Sequence, residues 1–518
     1  MPCCRCCLPT DRDRPSRGRR ASGARGVETA RRDHSRLRRS VAPIAILPDG
    51  HIEAIHEASL RLLETIGIEF MGQAARDVLK RAGAAVDEVS GLVRIDREIV
   101  QRSLAAAPPR FALTPRNPAR RIELGDDHVN FSLVAGPPFV HDSVQGRRGG
   151  NLADYERLIR LAQSFDIIHY IGNQPTVPLE LPAETRHLDC YRANIVNSDK
   201  VFHCTAIGAE RALDGIAMMA IARGISREEM MASPGVLTII LVNSPRRFDE
   251  AMTDGLAAMA EWGQAVCITP FTLMGAMTPV TITAALIQQN AEALAGLTLT
   301  QLVRPGVPAV YGAFTSNVDL RSGAPAFGTP ENVIATLAAG QLARRYGLPY
   351  RASNSNAANA VDAQAAYESM NSLWASVMGG AHLVYHGAGW MEGGLQASFE
   401  KVVVDVEMMQ MMAEIVTTPA LDDIEEVLAT IADVPPGGHF FGAAHTLKRY
   451  RSAFYEPLVS DWRNHGAWSE AGSPTAVDRA RAIWQEKLER FTPPPLDDDV
   501  RKRLDAYVAE RKATLAEK

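Results

Sequence analysis

From residue 131 onwards, apolar positions gather into short runs separated by longer mixed stretches: FSLVAG, DIIHYIGNQ, VFHCTAIG, GVLTIILVNS, AVCITPFTLMG, PAVYGAFTSN, PYRASNSN and AHLVYHGAG. Their starts lie 30 to 43 residues apart, the length that a strand, a crossover helix and two short loops require when neighbouring strands run parallel. The stretches between them have helical periodicity and readable ends. Thr278 with Pro279, and Thr329 with Pro330, read as N-cap and first helical residue, with stops near Gly306 and Gly347. Asp362 reads as the cap of a helix whose buried stripe is Ala366, Met370, Leu373, Trp374 and Val377. Eight such units predict an α/β fold, a closed (β/α)₈ TIM barrel over residues 131–416, because closure hides the edges that an open eight-stranded sheet would expose. An open doubly wound sheet is the alternative, but no GxGxxG, GxxxxGK[ST] or GxSxG motif occurs. Residues 43–130, opening with the amphipathic DGHIEAIHEASLRLLETIG, read as an N-terminal helical and small-hairpin extension. Residues 417–518 read as a C-terminal helical extension packed on the barrel.

Composition changes this picture only at the N-terminus. The 518 residues are 46% hydrophobic and 22% charged, ordinary for a globular protein long enough for a large core. Even AALIQQNAEALAGLTLTQLV is too interrupted by polar residues to cross a bilayer. The first 40 residues hold 12 Arg against three Asp and one Glu, so residues 1–42 are expected to form a disordered basic tail. A solvated tail is its first reading. Contact with nucleic acid or an anionic surface and a targeting peptide are the alternatives, and neither membrane nor nucleic acid is expected as a partner of the chain. Cys3, Cys4, Cys6 and Cys7 lack a second ligand pair at zinc spacing, and Cys190, Cys204 and Cys267 read as small core residues. A reducing cytoplasm suits such cysteine usage.

A barrel carries its site at the C-terminal ends of its strands. There the sequence places Gly136 to Pro138, Gly172 to Pro175 with Asn173 and Gln174, His203 to Thr205, Asn243 and Ser244, Thr269 to Thr272 and, richest in polar residues, Phe314 to Asn317, Ser353 to Asn356 and the glycine-rich HGAGWMEGG that starts at His386. His382 and His386 share one face of a strand and could ligate a metal with Glu392. His382 is better read as a core residue and His386 as the site residue. Tyr311, Phe314, Tyr350, Tyr385 and Trp390 could line a pocket for a quaternary or tertiary ammonium group. Asp319, Asp142 or Glu392 could balance its charge, and Arg321 could hold a carboxylate.

Four segments, YGAFTSNVDLRSGAPAFGTPE, PYRASNSNAANAVDAQAAYES, GWMEGGLQASFEKVVVDVEM and HFFGAAHTLKRYRSAFYEPL, together resemble the trimethylamine:corrinoid methyltransferase family, over about residues 43 to 491. The resemblance implies a barrel enzyme that passes a methyl group from a methylated amine to the Co(I) of a corrinoid on a separate protein docked over the mouth. No cofactor would then be tightly bound to the chain itself. The sequence has only the twenty standard residues, so it looks like the pyrrolysine-lacking branch, which includes glycine betaine methyltransferase. On this reading His386, Glu392 and Asp319 are the catalytic candidates. Tyr311, Phe314, Ser316, Arg321, Tyr350, Asn354 and Trp390 hold the substrate, and Asn173, Gln174, Gly387 and Gly389 face the corrinoid. No metal site is assigned. A metal-dependent hydrolase or lyase built on His382, His386 and Glu392, and a non-catalytic quaternary-amine binding protein, are the competing readings. A homo-oligomer is compatible with all three.

Overall fold

The computed structural model describes residues 33–516. Its centre is a ring of parallel strands in chain order: β1 (His128–Leu133), β2 (Ile168–Ile171), β3 (Val201–Phe202), β4 (Leu237–Val242), β5 (Ala265–Met274), β6 (Ala309–Gly312), β7 (Tyr350–Ser353) and β8 (Leu383–Ala388). Neighbours pair in sequence, and β8 pairs back onto β1. Between β3 and β4 the ladder thins to one bridge, His203 to Leu237, supported by the Cys204 amide donating to the Leu237 carbonyl. The fold is therefore the (β/α)₈ arrangement that the eight apolar runs predict, with one narrow seam. Eight helices follow the strands: α1 (Leu152–Gln163), α2 (Arg186–Asn197), α3 (Ala209–Arg223), α4 (Glu250–Glu261), α5 (Ile282–Val303), α6 (Pro330–Arg345), α7 (Ala363–Met378) and α8 (Phe399–Val416).

The caps locate the helices as expected at Thr329, with Pro330 at the first position, and at Asp362. α5 differs. Its cap is Thr281, not Thr278, because residues 274–278 close a tight turn before the helix can begin. On α7, Leu373 and Val377 are buried while Trp374 faces outward and is partly exposed.

The barrel interior is packed from its N-terminal end. Tyr170, Val201, Leu237, Cys267, Val310 and Leu383 point inward and meet Leu113, Ile122 and Leu124 of a hairpin (Phe111–Leu113 with Ile122–Leu124). That hairpin closes this end. Elsewhere in the extension, Ile68–Phe70, Leu92–Arg94 and Ala85–Val86 form a sheet completed by Arg247–Phe248 from the barrel.

The three described cysteines are buried free thiols, as read from the sequence. Residues 33–42 depart from the expectation of a disordered tail: Leu37–Arg38 pair antiparallel with the first two residues of β1, and the Ser40 amide donates to the Val416 carbonyl. The physical reason is that β1 begins before its barrel neighbours do, leaving backbone groups that this segment satisfies. Residues 1–32, with the four clustered cysteines, lie outside the described residues.

The C-terminal region divides. Residues 455–516 pack on the barrel: Trp484 stacks near Phe399 and donates to Glu400, and Arg511 and Lys512 pair with Asp214 of α3 and Asp189 of α2. Residues 423–454 belong to a separate compact unit with two short helices, Ile424–Ala432 and Ala444–Arg449, tied by an Arg449–Glu426 ion pair.

Candidate active site at the barrel mouth

Strand geometry decides which side chains reach the mouth, since successive residues point to opposite faces. On β7, Tyr350 points outward and its hydroxyl donates to the Thr336 carbonyl of α6, so the next residue, Arg351, points inward. On β6, Tyr311 also points outward, and its hydroxyl bonds Gln289 and Asn290 of α5. These two tyrosines fasten the barrel to its helices and stand away from the cavity.

Inside the mouth lies a cavity of about 360 Å³ whose aromatic lining is Phe271, Phe314, Tyr385, His386 and Trp390. The His386 and Trp390 rings are 4.1 Å apart, His386 and Tyr385 4.5 Å, and Phe314 lies 5.0 Å from Phe271 and 6.0 Å from Trp390. Phe327 backs this cage against Phe314 and Trp390. His386 breaks the strand's alternation by adopting φ +56°, which lets it and Tyr385 both face the cavity. A side chain held in that region is a strained position of the kind that functional sites retain.

The glycine-rich stretch after β8 is a hairpin, not a loose loop. Trp390 pairs with Ala397 and Met391 with Gln396, and Gln396–Ser398 run beside Phe139–Asp142. The indole Nε1–H donates to the Asn356 carbonyl, and the Asn356 amide donates to the Trp390 carbonyl. Gly394 has φ +99°, and a Cβ there would sit 2.6 Å from the Trp390 ring. Only glycine allows the hairpin to fold over this indole.

Polar groups complete the wall. The Tyr385 hydroxyl accepts from the Asn173 amide at 2.8 Å and sits 3.3 Å from His203 Nδ1, while Thr205 donates to the Asn173 side chain. Burial lowers the pKa of His203 to about 3 and holds His386 well below the usual imidazole range, with the Arg351 charge acting in the same direction. Both rings are neutral at ordinary pH. Burial also pushes the Tyr385 phenol well above its ordinary range. Among the described residues lining the cavity there is no acidic side chain, and Arg351 is the one with a permanent charge.

The structure thus brings together Phe314, Tyr385, His386, Trp390 and Asn173 of the residues singled out from the sequence. The others lie elsewhere. Glu392 is held bidentately by Arg147 at 2.8 and 3.0 Å, and Asp319 caps the exposed turn that also carries Arg321. Asp142 pairs with Arg148. The Ser316 hydroxyl donates to the Ala326 carbonyl within a hairpin. Asn354 ties β7 to β8 through the Gly387 carbonyl. Gly387 and Gly389 pack against Met409 and Val402 of α8, and Gln174, at φ +39°, does not line the cavity. His382 is a core residue: its Nδ1 accepts from the Tyr350 amide and its Nε2 donates to the Asp126 carbonyl. With those nitrogens and the Glu392 carboxylate engaged, the metal-site reading of His382, His386 and Glu392 finds no support. Arg351 was not singled out from the sequence, and His203, Thr205 and Phe271 entered it only as members of the strand-end stretches 203–205 and 269–272, without a role. The available signal was Arg351 itself, a charged residue inside a run of otherwise buried strand positions.

A family profile described as trimethylamine methyltransferase (MTTB) matches residues 14–516. Glycine betaine methyltransferase of Desulfitobacterium hafniense (strain Y51) is 36% identical over 467 residues, covering 90% of this chain and 97% of that protein. A trimethylamine methyltransferase of D. hafniense (strain DSM 10664 / DCB-2) is 26% identical, over 90% of this chain and 94% of that one. Proline betaine:corrinoid methyltransferase of Eubacterium limosum is 25% identical, over 89% and 96%. With the profile spanning nearly the whole chain and a relative this similar end to end, the protein belongs to the trimethylamine methyltransferase family.

Proposed function

We propose that this methyltransferase takes one methyl group from a quaternary methylated amine of the glycine betaine type and passes it to the Co(I) of a corrinoid carried by a separate protein. The observation that carries the reading is the aromatic cavity at the barrel mouth, in a chain similar from end to end to a glycine betaine methyltransferase. Ring faces attract a desolvated ammonium group by roughly 0.5 to 2 kcal/mol each. When the Co(I) electron pair attacks a methyl carbon, the C–N bond breaks and its pair stays on nitrogen. The product amine is neutral, so no proton has to be delivered. What the chain must supply is desolvation, a fixed orientation of one methyl group and an open approach for the acceptor. Neutral His386 and His203 suit this task, because neither adds positive charge beside the cation.

The rim supports docking of a corrinoid protein. Exposed apolar side chains follow six of the eight strands, Val144, Leu179, Ile207, Val280, Leu320 and Leu395, and Leu241 is the penultimate residue of β4 at the same end. Scattered exposed leucines are normal, but a set surrounding one opening marks an interaction surface. A cytoplasmic site of action fits an acceptor that must be kept reduced. Incubation with glycine betaine and reduced cobalamin is expected to yield dimethylglycine and methylcobalamin in equal amounts. Tight binding without turnover would leave only the binding-protein reading.

A further inference from the structure

Arg351 is the feature of the cavity that methyl transfer alone does not require. Its side chain is 1% exposed, yet among the described residues it makes a single hydrogen bond, from Nη1 to the Ala313 carbonyl at 3.2 Å, and its Nε has no partner. A guanidinium carries five donors and stays charged. Buried arginines are ordinarily paired, since an uncompensated charge in the interior is strongly unfavourable. Here no acidic side chain lines the cavity among the described residues, and the acids Glu392, Asp142 and Asp405 are paired with Arg147, Arg148 and Lys401. The Tyr385 and Phe314 rings, at 4.9 and 5.4 Å from the guanidinium carbon, hold it at the cavity wall without neutralising it.

We propose that Arg351 receives the carboxylate of the substrate, so that the cavity selects short zwitterionic betaines over quaternary cations that lack an acid group. This rests on reading the cavity as a methylated-amine site. A simple cation would place a second positive charge beside Arg351. At an effective dielectric of about 20 and a separation of about 6 Å, that repulsion weakens binding by roughly a hundredfold. A betaine turns the same arginine into an attraction, with two parallel N–H···O bonds available. Spacing follows from the shared wall. The Phe314 ring that flanks the guanidinium also lies 5.8 Å from His386 and 6.0 Å from Trp390. Carboxylate and ammonium sites are therefore neighbours, which suits one or two carbons between the charged groups better than a longer chain. The exposed Arg321 considered from the sequence is not needed for this role.

The test compares glycine betaine, choline and 4-(trimethylammonio)butanoate on the wild type, Arg351→Met and Arg351→Lys. Binding is measured by calorimetry and methyl transfer by reduced cobalamin, with near-ultraviolet circular dichroism confirming the fold. The wild type is expected to prefer glycine betaine over choline by about a hundredfold in kcat/KM and over the butanoate by a smaller factor. In Arg351→Met that preference collapses, with glycine betaine affinity falling by about a hundredfold. Glycine betaine binding within about threefold of wild type in Arg351→Met would overturn the proposal, as would equal losses for glycine betaine and choline. If the methionine variant does not fold, Arg351→Lys decides: a glycine betaine KM raised about tenfold and a reduced betaine-to-choline ratio support the site, and an unchanged ratio overturns it. Arg351-dependent binding without methyl transfer would defeat the proposed reaction and keep the carboxylate site. Methyl transfer indifferent to Arg351 would do the reverse.

Discussion

Among the described residues, four of the buried histidines, His169, His203, His382 and His386, lie on the barrel strands or directly at their ends, and the two ends of the barrel treat them differently. Toward the N-terminal end, His169 and His382 have both ring nitrogens engaged: each Nδ1 accepts from a strand amide and each Nε2 meets a backbone carbonyl. At the mouth, among the described residues, His386 Nδ1 has no partner and His203 bonds the Tyr385 hydroxyl alone. The same contrast extends to other groups. The N-terminal end is closed by Leu113, Ile122 and Leu124, whereas unpaired polar atoms collect at the ends of β7 and β8, on Arg351, Ser353, Asn354, Ser355, Asn356 and His386. Closed ends are satisfied because nothing enters them. Unpaired buried donors and acceptors are tolerated where a ligand or partner can complete them.

The largest expected effect tests what the two ends share. Burial lowers the pKa of His169 and His382 to about 4 and of His203 to about 3, and holds His386 well below the ordinary imidazole value. Below about pH 6.5 the unfolded chain therefore binds protons that the folded chain refuses, and stability falls as pH drops, by about 1.4 kcal/mol per pH unit for each such group. Full stability is present above pH 6.5, and cooperative acid unfolding is expected before pH 4. Denaturant melts from pH 7.5 to 4.5 should show it; a flat midpoint over that range would refute it.

Next in size is a change confined to the closed end. Leu124→Ala removes a fully buried side chain from the hairpin that plugs the barrel and should lower unfolding free energy by about 2 to 5 kcal/mol. Substrate KM of the folded fraction should not change. A shifted KM would mean that the plug and the mouth are coupled.

The smallest effect is the sharpest comparison, two tyrosines that lose the same atom. Tyr311→Phe strips a hydroxyl bonded to Gln289 and Asn290 behind the barrel, and Tyr385→Phe strips one bonded to Asn173 at the mouth. Each change should amount to about 1 kcal/mol. For Tyr311 it should appear in thermal stability with kinetics unchanged. For Tyr385 it should appear as a severalfold rise in KM. Equal kinetic effects would erase the distinction between the two faces.

Much of this was open to reading. The eight apolar runs coincide with the eight strands, and Thr329, Pro330 and Asp362 start their helices where capping chemistry requires. Phe314, His386, Trp390 and Asn173 meet at one cavity because strand ends in a barrel converge there. Glu392 and Asp319 looked equally available, but an acidic side chain near the mouth says nothing of whether an arginine such as Arg147 already holds it.

The sequence alone determined the order, length and spacing of the βα units, since hydrophobic runs, caps and stops are local properties of the chain. The facing of each strand was decided only by the tertiary structure. A barrel strand is buried on both sides, so its residues lack the polar and apolar alternation that would mark the inner face. On β7 that left Tyr350 and Arg351 indistinguishable by pattern, and the ring of strands turned the tyrosine to the helices and the arginine to the cavity.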